Sequence, residues 1–497
     1  MRQLLLGLDI GSSSIKASIV DAATGKSLAS AQSPAEEMAM TALQPGWAEQ
    51  DPEIWWHHLV LSVKSSLKSS GAKADEISAI GISYQMHGLV VVDKEQKALR
   101  PAIIWCDSRA VEIGQKACDE LGGSYCLEHF LNSPGNFTAS KLKWVRDNEP
   151  GLYGRIHKFM LPGDYIAMRL SGDVVTTETG LSEGIFWDYR AQAVSRGLMA
   201  PYGFDTGVVP QLVPVFGVQG TLSKTAAAVL GISPSARITY RAGDQPNNAF
   251  SLNVLKPGET AATAGTSGVI YSVTEKNAFD PKSRVNTFIH VNNKKEKPSN
   301  GVLLCINGTG ILNSWLRRNA GGAGALMDYD RMNSLAAQAP IGSGGLTILP
   351  FGNGAERVLE NKNLSASFHG LDFNLHSQPH VFRAAQEGIV FALKYGFDVL
   401  REMGLNTSVI RAGHANMFLS PVFREAFVNT IGAPLELYNT DGATGAAIGA
   451  GIGAGFFDSK DAFKGLHTIR VETPDHGKQA NYQLAYSKWK SQLNHIL

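Results

Sequence analysis

The apolar run LLLGLDI breaks at Asp9, and Gly11, Ser12, Ser13 and Ser14 follow before Lys16 enters the next apolar run. A glycine lets backbone N–H groups face a ligand with no Cβ in the way. The serine hydroxyls add donors, Lys16 adds charge, and Asp9 can hold a hydrated Mg2+. Together these groups suit the phosphates of a nucleotide such as ATP. The alternative is an ordinary glycine hairpin whose strand-end aspartate satisfies backbone donors. A second turn of small, hydroxyl-bearing residues, Ala264-Gly265-Thr266-Ser267-Gly268, repeats the pattern. Neither turn is a GxxxxGK[ST] loop or a GxGxxG opening a helix, which argues against P-loop and dinucleotide-binding folds. Just ahead of the second turn lies Gly243-Asp244-Gln245-Pro246-Asn247-Asn248, read as a constrained loop. Phosphoryl transfer to a hydroxyl needs a proton acceptor in line with the γ-phosphate, so Asp244 is the candidate base. A turn-stabilising aspartate is the competing reading.

Residues 4–33 read as three strands in a meander, LLLGLDI, IKASIV and SLASAQ, with DAATG turning the last two. A helical stretch with an acidic entry follows, EQDPEIWWHHLVLSVKSSL, then the buried strand ISAIGIS ending on QMHG, then LVVVD. Helices and strands go on alternating, which marks the α/β class. Near residue 238 the strand, turn, strand plan starts again, with Gly265 about half the chain beyond Gly11, so two halves are expected, 1–240 and 241–497. GATGAAIGAGIGAGFF, 442–457, is too short and too poor in large apolar residues to span a bilayer, and its glycines and alanines predict a closely packed helix. NNKKEKPSNG, 292–301, reads as a solvated hairpin loop with no function of its own.

At 497 residues with 44% hydrophobic content, the chain can fill the cores of two to four domains. Its 45 basic and 44 acidic side chains give a formal charge of +1, so no global field favours nucleic acid or an anionic membrane, and an anionic ligand needs a local site. Cys106, Cys118, Cys126 and Cys305 match neither metal pairs nor a disulfide framework, so buried free thiols and a cytoplasmic setting are expected. No apolar run approaches the ~20 residues of a membrane span, and Asp9 interrupts the N-terminal one before signal-peptide length.

DIGSSSIK, PGWAEQDPEIWW, ISYQMHG, PAIIWCDSR, TASKLKWVRDNEP, LPGDYIAMRLSG, AGDQPNNAF, TAGTSGV and TGAAIGAG together resemble the sugar kinases of the FGGY carbohydrate kinase family, within the actin, Hsp70 and hexokinase type of ATPase fold. The resemblance implies two RNase-H-like domains, each a mixed five-stranded sheet flanked by helices, with an active-site cleft between them and the last helix packing back on the first domain. It implies Asp244 as catalytic base, Asp9 as the magnesium-side carboxylate, and Gly11–Ser14, Lys16 and Gly265, Thr266 and Ser267 as phosphate contacts. QMHG resembles the xylulokinase form, which implies that Met86 and His87 line a ketose site with D-xylulose as acceptor. It also implies that Asp107 of WCDSR bonds a sugar hydroxyl. The adenine-side loop, Arg411-Ala412-Gly413-His414-Ala415-Asn416, lacks the several glycines usual in the family, leaving Gly413 and Asn416 as candidate nucleotide contacts. ATP and Mg2+ are the implied cofactors and a homodimer the implied assembly. A kinase for ribulose, fuculose or glycerol stays open, as does a non-catalytic sugar- or nucleotide-binding sensor, although Asp9, Lys16 and Asp244 together argue against a sensor.

Overall fold

In the computed structural model, which describes residues 2–321 and 324–497, the chain forms two compact units. The first comprises residues up to Asn253 together with Phe288–Asn300 and Thr440–Leu466, and the remainder forms the second. The boundary therefore falls after Asn253 instead of near 240, and two later segments return to the first unit.

The first unit is organised by the expected meander, β1 (Leu4–Ile10), β2 (Ile15–Asp21) and β3 (Ser27–Ser33). With helix α1 (Pro52–Ser70), β4 (Ile77–Tyr84), β5 (Phe216–Thr221) and β6 (Arg237–Gly243) it builds a sheet in the order β5-β6-β4-β1-β2-β3. β1, β4 and β6 run parallel, and the other pairings are antiparallel. The strand period of two sorts the β1 side chains between faces. Leu4, Leu6, Leu8 and Ile10 join a core with Trp55, Leu59 and Val63 of α1. The opposite face carries Gly7, and Gly81 from β4. A Cβ on Gly7 would lie 1.8 Å from the Ala443 carbonyl oxygen, and one on Gly81 would lie 1.9 Å from that of Ala446. The helix Gly442–Gly453 thus rests directly on the sheet, as its small residues predict.

The second unit repeats the plan with β7 (Glu259–Ala264), β8 (Gly268–Thr274), β9 (Asn286–Ile289), β10 (Asn300–Ile306), β11 (Val409–Gly413), β12 (Leu435–Tyr438) and β13 (Thr468–Glu472). Their order is β9-β10-β8-β7-β11-β12-β13. Five-stranded sheets were expected. The structure has six and seven strands, because antiparallel β5 and β13 extend β6 and β12, and β9 adds a further edge strand. The last helix, His476–Ile496, also differs from expectation. It belongs to the second unit, where Tyr482, Tyr486, Trp489 and Leu493 bury one stripe against the long helix Gln378–Glu402 and its neighbours. Trp489 Nε1 donates to the Ile348 carbonyl at 2.9 Å, and Tyr486 donates to Asp398 at 2.6 Å. The glycine-rich helix, not this one, returns to the first unit.

All four cysteines are free thiols, though only Cys126 is buried and Cys106 is exposed. Among the described residues no helix is long and apolar enough to cross a membrane.

Candidate active site

In the first unit the carboxyl ends of β1, β4 and β6 lie side by side, the edge where open α/β sheets bind ligands. They carry Asp9, the QMHG turn and Asp244 respectively. Asp9 stands opposite Lys16 on β2 and Ser83 on β4, and Ser83 Oγ donates to Asp9 Oδ1 at 2.9 Å. Burial raises the Asp9 carboxyl, Ser83 and Lys16 pull it down, and Asp441 pushes it up again. A Cβ on Gly442 would come within 2.6 Å of Asp9 Oδ2, so the first residue of the returning helix touches this carboxylate.

Asp244 is not on a loop. It opens helix α4 (Asp244–Ser251) directly after β6, and Pro246 fits because first-turn N–H groups have no intrahelical partner. Burial and the charge of Asp9 raise the Asp244 carboxyl to about 7. That is the value a general base needs near neutrality.

Met86 is buried, and His87 is half-buried with φ of 62°, a left-handed backbone. His87 Nδ1 lies 3.0 Å from the Glu183 carbonyl; a carbonyl only accepts, so Nδ1 carries the proton. The His87 ring packs edge-on to Phe137 at 4.9 Å and tilted to Phe288 at 5.2 Å. Within 292–301 only residues 294–298 are exposed, Ser299 and Asn300 being buried, and Phe288 on the strand leading into this hairpin supplies a wall of the site. Asp107 is used differently from the expected sugar contact. Its carboxylate is fully enclosed, accepting from Ala48 N at 2.6 Å and from the backbone and guanidinium of Arg109 at 2.7 to 3.0 Å. Its acceptor positions are filled by this fork, so it fixes the loop.

The first turn is a tight hairpin in which Gly11 N donates to Ser14 O at 3.2 Å. Met38 N bonds to Ser13 O at 2.8 Å, Gln50 Nε2 to Ser12 O at 2.7 Å, and the Trp105 indole to the Ser12 hydroxyl at 3.2 Å. With its carbonyls engaged, the turn offers mainly donors. The second unit repeats this. Gly310 N and Ile311 N, at the start of the helix Gly310–Asn319, bond to Gly265 O and Thr266 O at 3.0 and 3.1 Å. A Cβ on Gly310 would lie 2.1 Å from Gly265 O. Thr266 and Ser267 keep their hydroxyls on this turn. Asn416, whose φ of 54° suits asparagine, brings its amide nitrogen within 3.5 Å of a Cβ built on Gly265, and Gly413 ends neighbouring β11.

Sequence reasoning missed three groups. Glu183, at the end of the short helix α3 (Glu178–Glu183), is buried, and its Oε2 would lie 2.4 Å from a Cβ on Gly243. Burial and Asp244 hold its carboxyl well above the usual range. Lys141 is enclosed beside His87. Thr309 and Gly310 brace the second turn, and the glycine-bearing NGTGI after a strand was their only local signal.

The sequence profile of the FGGY family of carbohydrate kinases, N-terminal domain, matches residues 4–251, and that of its C-terminal domain matches 260–454. The chain belongs to the FGGY family of carbohydrate kinases. The FGGY chain is therefore a carbohydrate kinase with the two-domain, actin-like ATPase fold. It is similar to the xylulose kinase of Haemophilus influenzae, 28% identical over 510 residues spanning 99% of this chain and 100% of that protein. The xylulose kinase structure from Rhodospirillum rubrum superposes with a TM-score of 0.87 at 25% identity, covering 99% of each chain. A gluconate kinase structure from Lactobacillus acidophilus reaches 0.89 at 21% identity, covering 100% of this chain and 98% of that one. This last likeness is one of fold alone.

Proposed function

We propose that this kinase transfers the γ-phosphoryl group of ATP to the 5-hydroxyl of D-xylulose. The observation that carries the reading is the meeting of Asp244 with Met86, His87 and Asp9 at the ends of adjacent parallel strands. The full-length likeness to curated xylulose kinases supports the choice of ketose.

Ionised Asp244 accepts the hydroxyl proton as the hydroxyl oxygen bonds to the γ-phosphorus. The bond from that phosphorus to the bridging oxygen breaks, leaving its electron pair on ADP. Met86 and His87 border the sugar, with Asp107 holding the adjoining loop. On the first unit, amides and hydroxyls of Gly11–Ser14 with Lys16 suit phosphate oxygens; on the second unit, those of Gly265–Ser267 suit phosphate oxygens as well, with Gly413 and Asn416 as nucleotide contacts. Asp9 fits a hydrated Mg2+. It is a carboxylate raised by burial next to a second one, and magnesium typically takes one or two carboxylates plus phosphates. When bound, the ion would offset phosphate charge.

The test is coupled ADP release with Mg·ATP across D-xylulose, D-ribulose, L-ribulose, L-fuculose and glycerol. A clear preference for D-xylulose is the expected result, and preference for another acceptor overturns the substrate assignment. ADP release that ignores every sugar overturns the mechanism.

A further inference from the structure

Lys141 sits on the helix α2, Thr138–Asn148, with no exposed surface. Its neighbours Ala139, Leu142 and Val145 are also buried, so the side chain has no route to water. A buried amine is tolerated only where its donors are used. Lys141 Nζ donates to the His87 carbonyl at 3.0 Å and to the Ile104 carbonyl at 2.8 Å. The first acceptor lies in the turn that presents Met86 and His87. The second opens the loop Trp105–Arg109, and Asp107 N also bonds to it at 3.2 Å. The same helix start is tied to a third segment, since Ala139 N donates to Gly184 O at 3.0 Å beside Glu183.

We infer that Lys141 is a positioning residue, whose nitrogen staples the QMHG turn to the Trp105–Arg109 loop and so sets the width of the acceptor site. The His87 backbone is the part most in need of the staple. A non-glycine residue at φ 62° persists only where its surroundings hold it, and its carbonyl is one of the two that Lys141 grips. Burial draws the lysine down to about 7, and both protonation states keep the two donors that the carbonyls need. Lys141 bonds the sugar-side turn and loop directly and reaches the nucleotide-side turn through Trp105, whose indole bonds the Ser12 hydroxyl, so its loss acts first on the sugar.

This rests on the proposed acceptor site, and wild-type turnover of D-xylulose tests that reading separately. Given such turnover, Lys141→Met, which keeps the stem and removes both donors, should raise the KM for D-xylulose about 10-fold with the KM for ATP within about twofold. Lys141→Gln is one atom shorter and reaches at most one carbonyl, so it should raise the ketose KM by about threefold or more and serves where the Met variant does not fold. An unchanged ratio of ketose to ATP KM in a variant that melts like the wild type overturns the inference. So does an equal rise in both KM values, which marks a merely structural lysine.

Discussion

Asp244 meets two opposed demands with one carboxyl. As the proposed base it must be ionised, yet burial and Asp9 favour its proton, and the balance falls at about 7. Asp244→Ala should lower kcat by roughly 10²–10⁴-fold with the KM for ATP little changed, measured by coupled ADP release. The same position predicts a signature in stability. A carboxyl whose folded value is raised stabilises the fold below its unfolded value, near 3.8, and that contribution is lost as pH rises through about 7. Asp244→Asn carries no such charge. Its melting temperature should therefore exceed that of the wild type by an amount that grows from about pH 4 to about 7 and then levels off, as thermal scans without Mg2+ would show. A flat difference across that range would place the carboxyl in water. Asp9 and Asp244 stood out as residue types, Asp9 because it breaks an apolar strand just before a glycine and three serines, Asp244 because it follows a glycine just ahead of the second hydroxyl-bearing turn. Glu183 was not legible, since a single glutamate in LSEGIFWD carries no pattern, and only folding brings it beside Gly243.

At the scale of elements, the site depends on how closely Gly442–Gly453 approaches the sheet. Asp9 touches Gly442, and Asn247 Nδ2 of α4 donates to the Gly442 carbonyl at 2.9 Å, so this one helix start meets both the strand that carries Asp9 and the helix that carries Asp244. Gly81→Ala would put a methyl 1.9 Å from the backbone oxygen of Ala446. That neighbour is backbone and cannot rotate away, so the helix itself must move. Destabilisation of about 3 kcal/mol is expected, at the upper end of ordinary overpacking, with a lowered melting temperature and reduced kcat. The meander, α1 and the glycine-rich helix were all readable from periodicity and small-residue content. The helical start at Asp244 was not, because GDQPNN carries the composition of a turn, and proline in a first helical turn looks the same in sequence as proline in a loop.

For the whole molecule, the chain passes between its two units after Asn253, Thr287, Asn300, Asn439 and Leu466. A fragment ending at Asn253 lacks the helix that covers Gly7 and Gly81. Expressed alone, residues 1–253 should therefore bind a hydrophobic dye and give no cooperative melt, whereas a sharp transition would show that the six-stranded sheet stands without its cover. By itself the sequence determined the α/β class, the repeated strand, turn, strand plan and the two hydroxyl-bearing turns, and it singled out Asp244 as the candidate base. Those features are written in local periodicity and residue type. Only the tertiary structure decided that Asp107 is consumed by Arg109 and the Ala48 N–H, that the last helix stays with the second unit, that Lys141 bonds the His87 carbonyl and that Glu183 lies beside Gly243. Ala48 N on Asp107, Trp489 on the Ile348 carbonyl and Lys141 on the His87 and Ile104 carbonyls are pairings between residues far apart in the chain, which leave no mark on its local pattern.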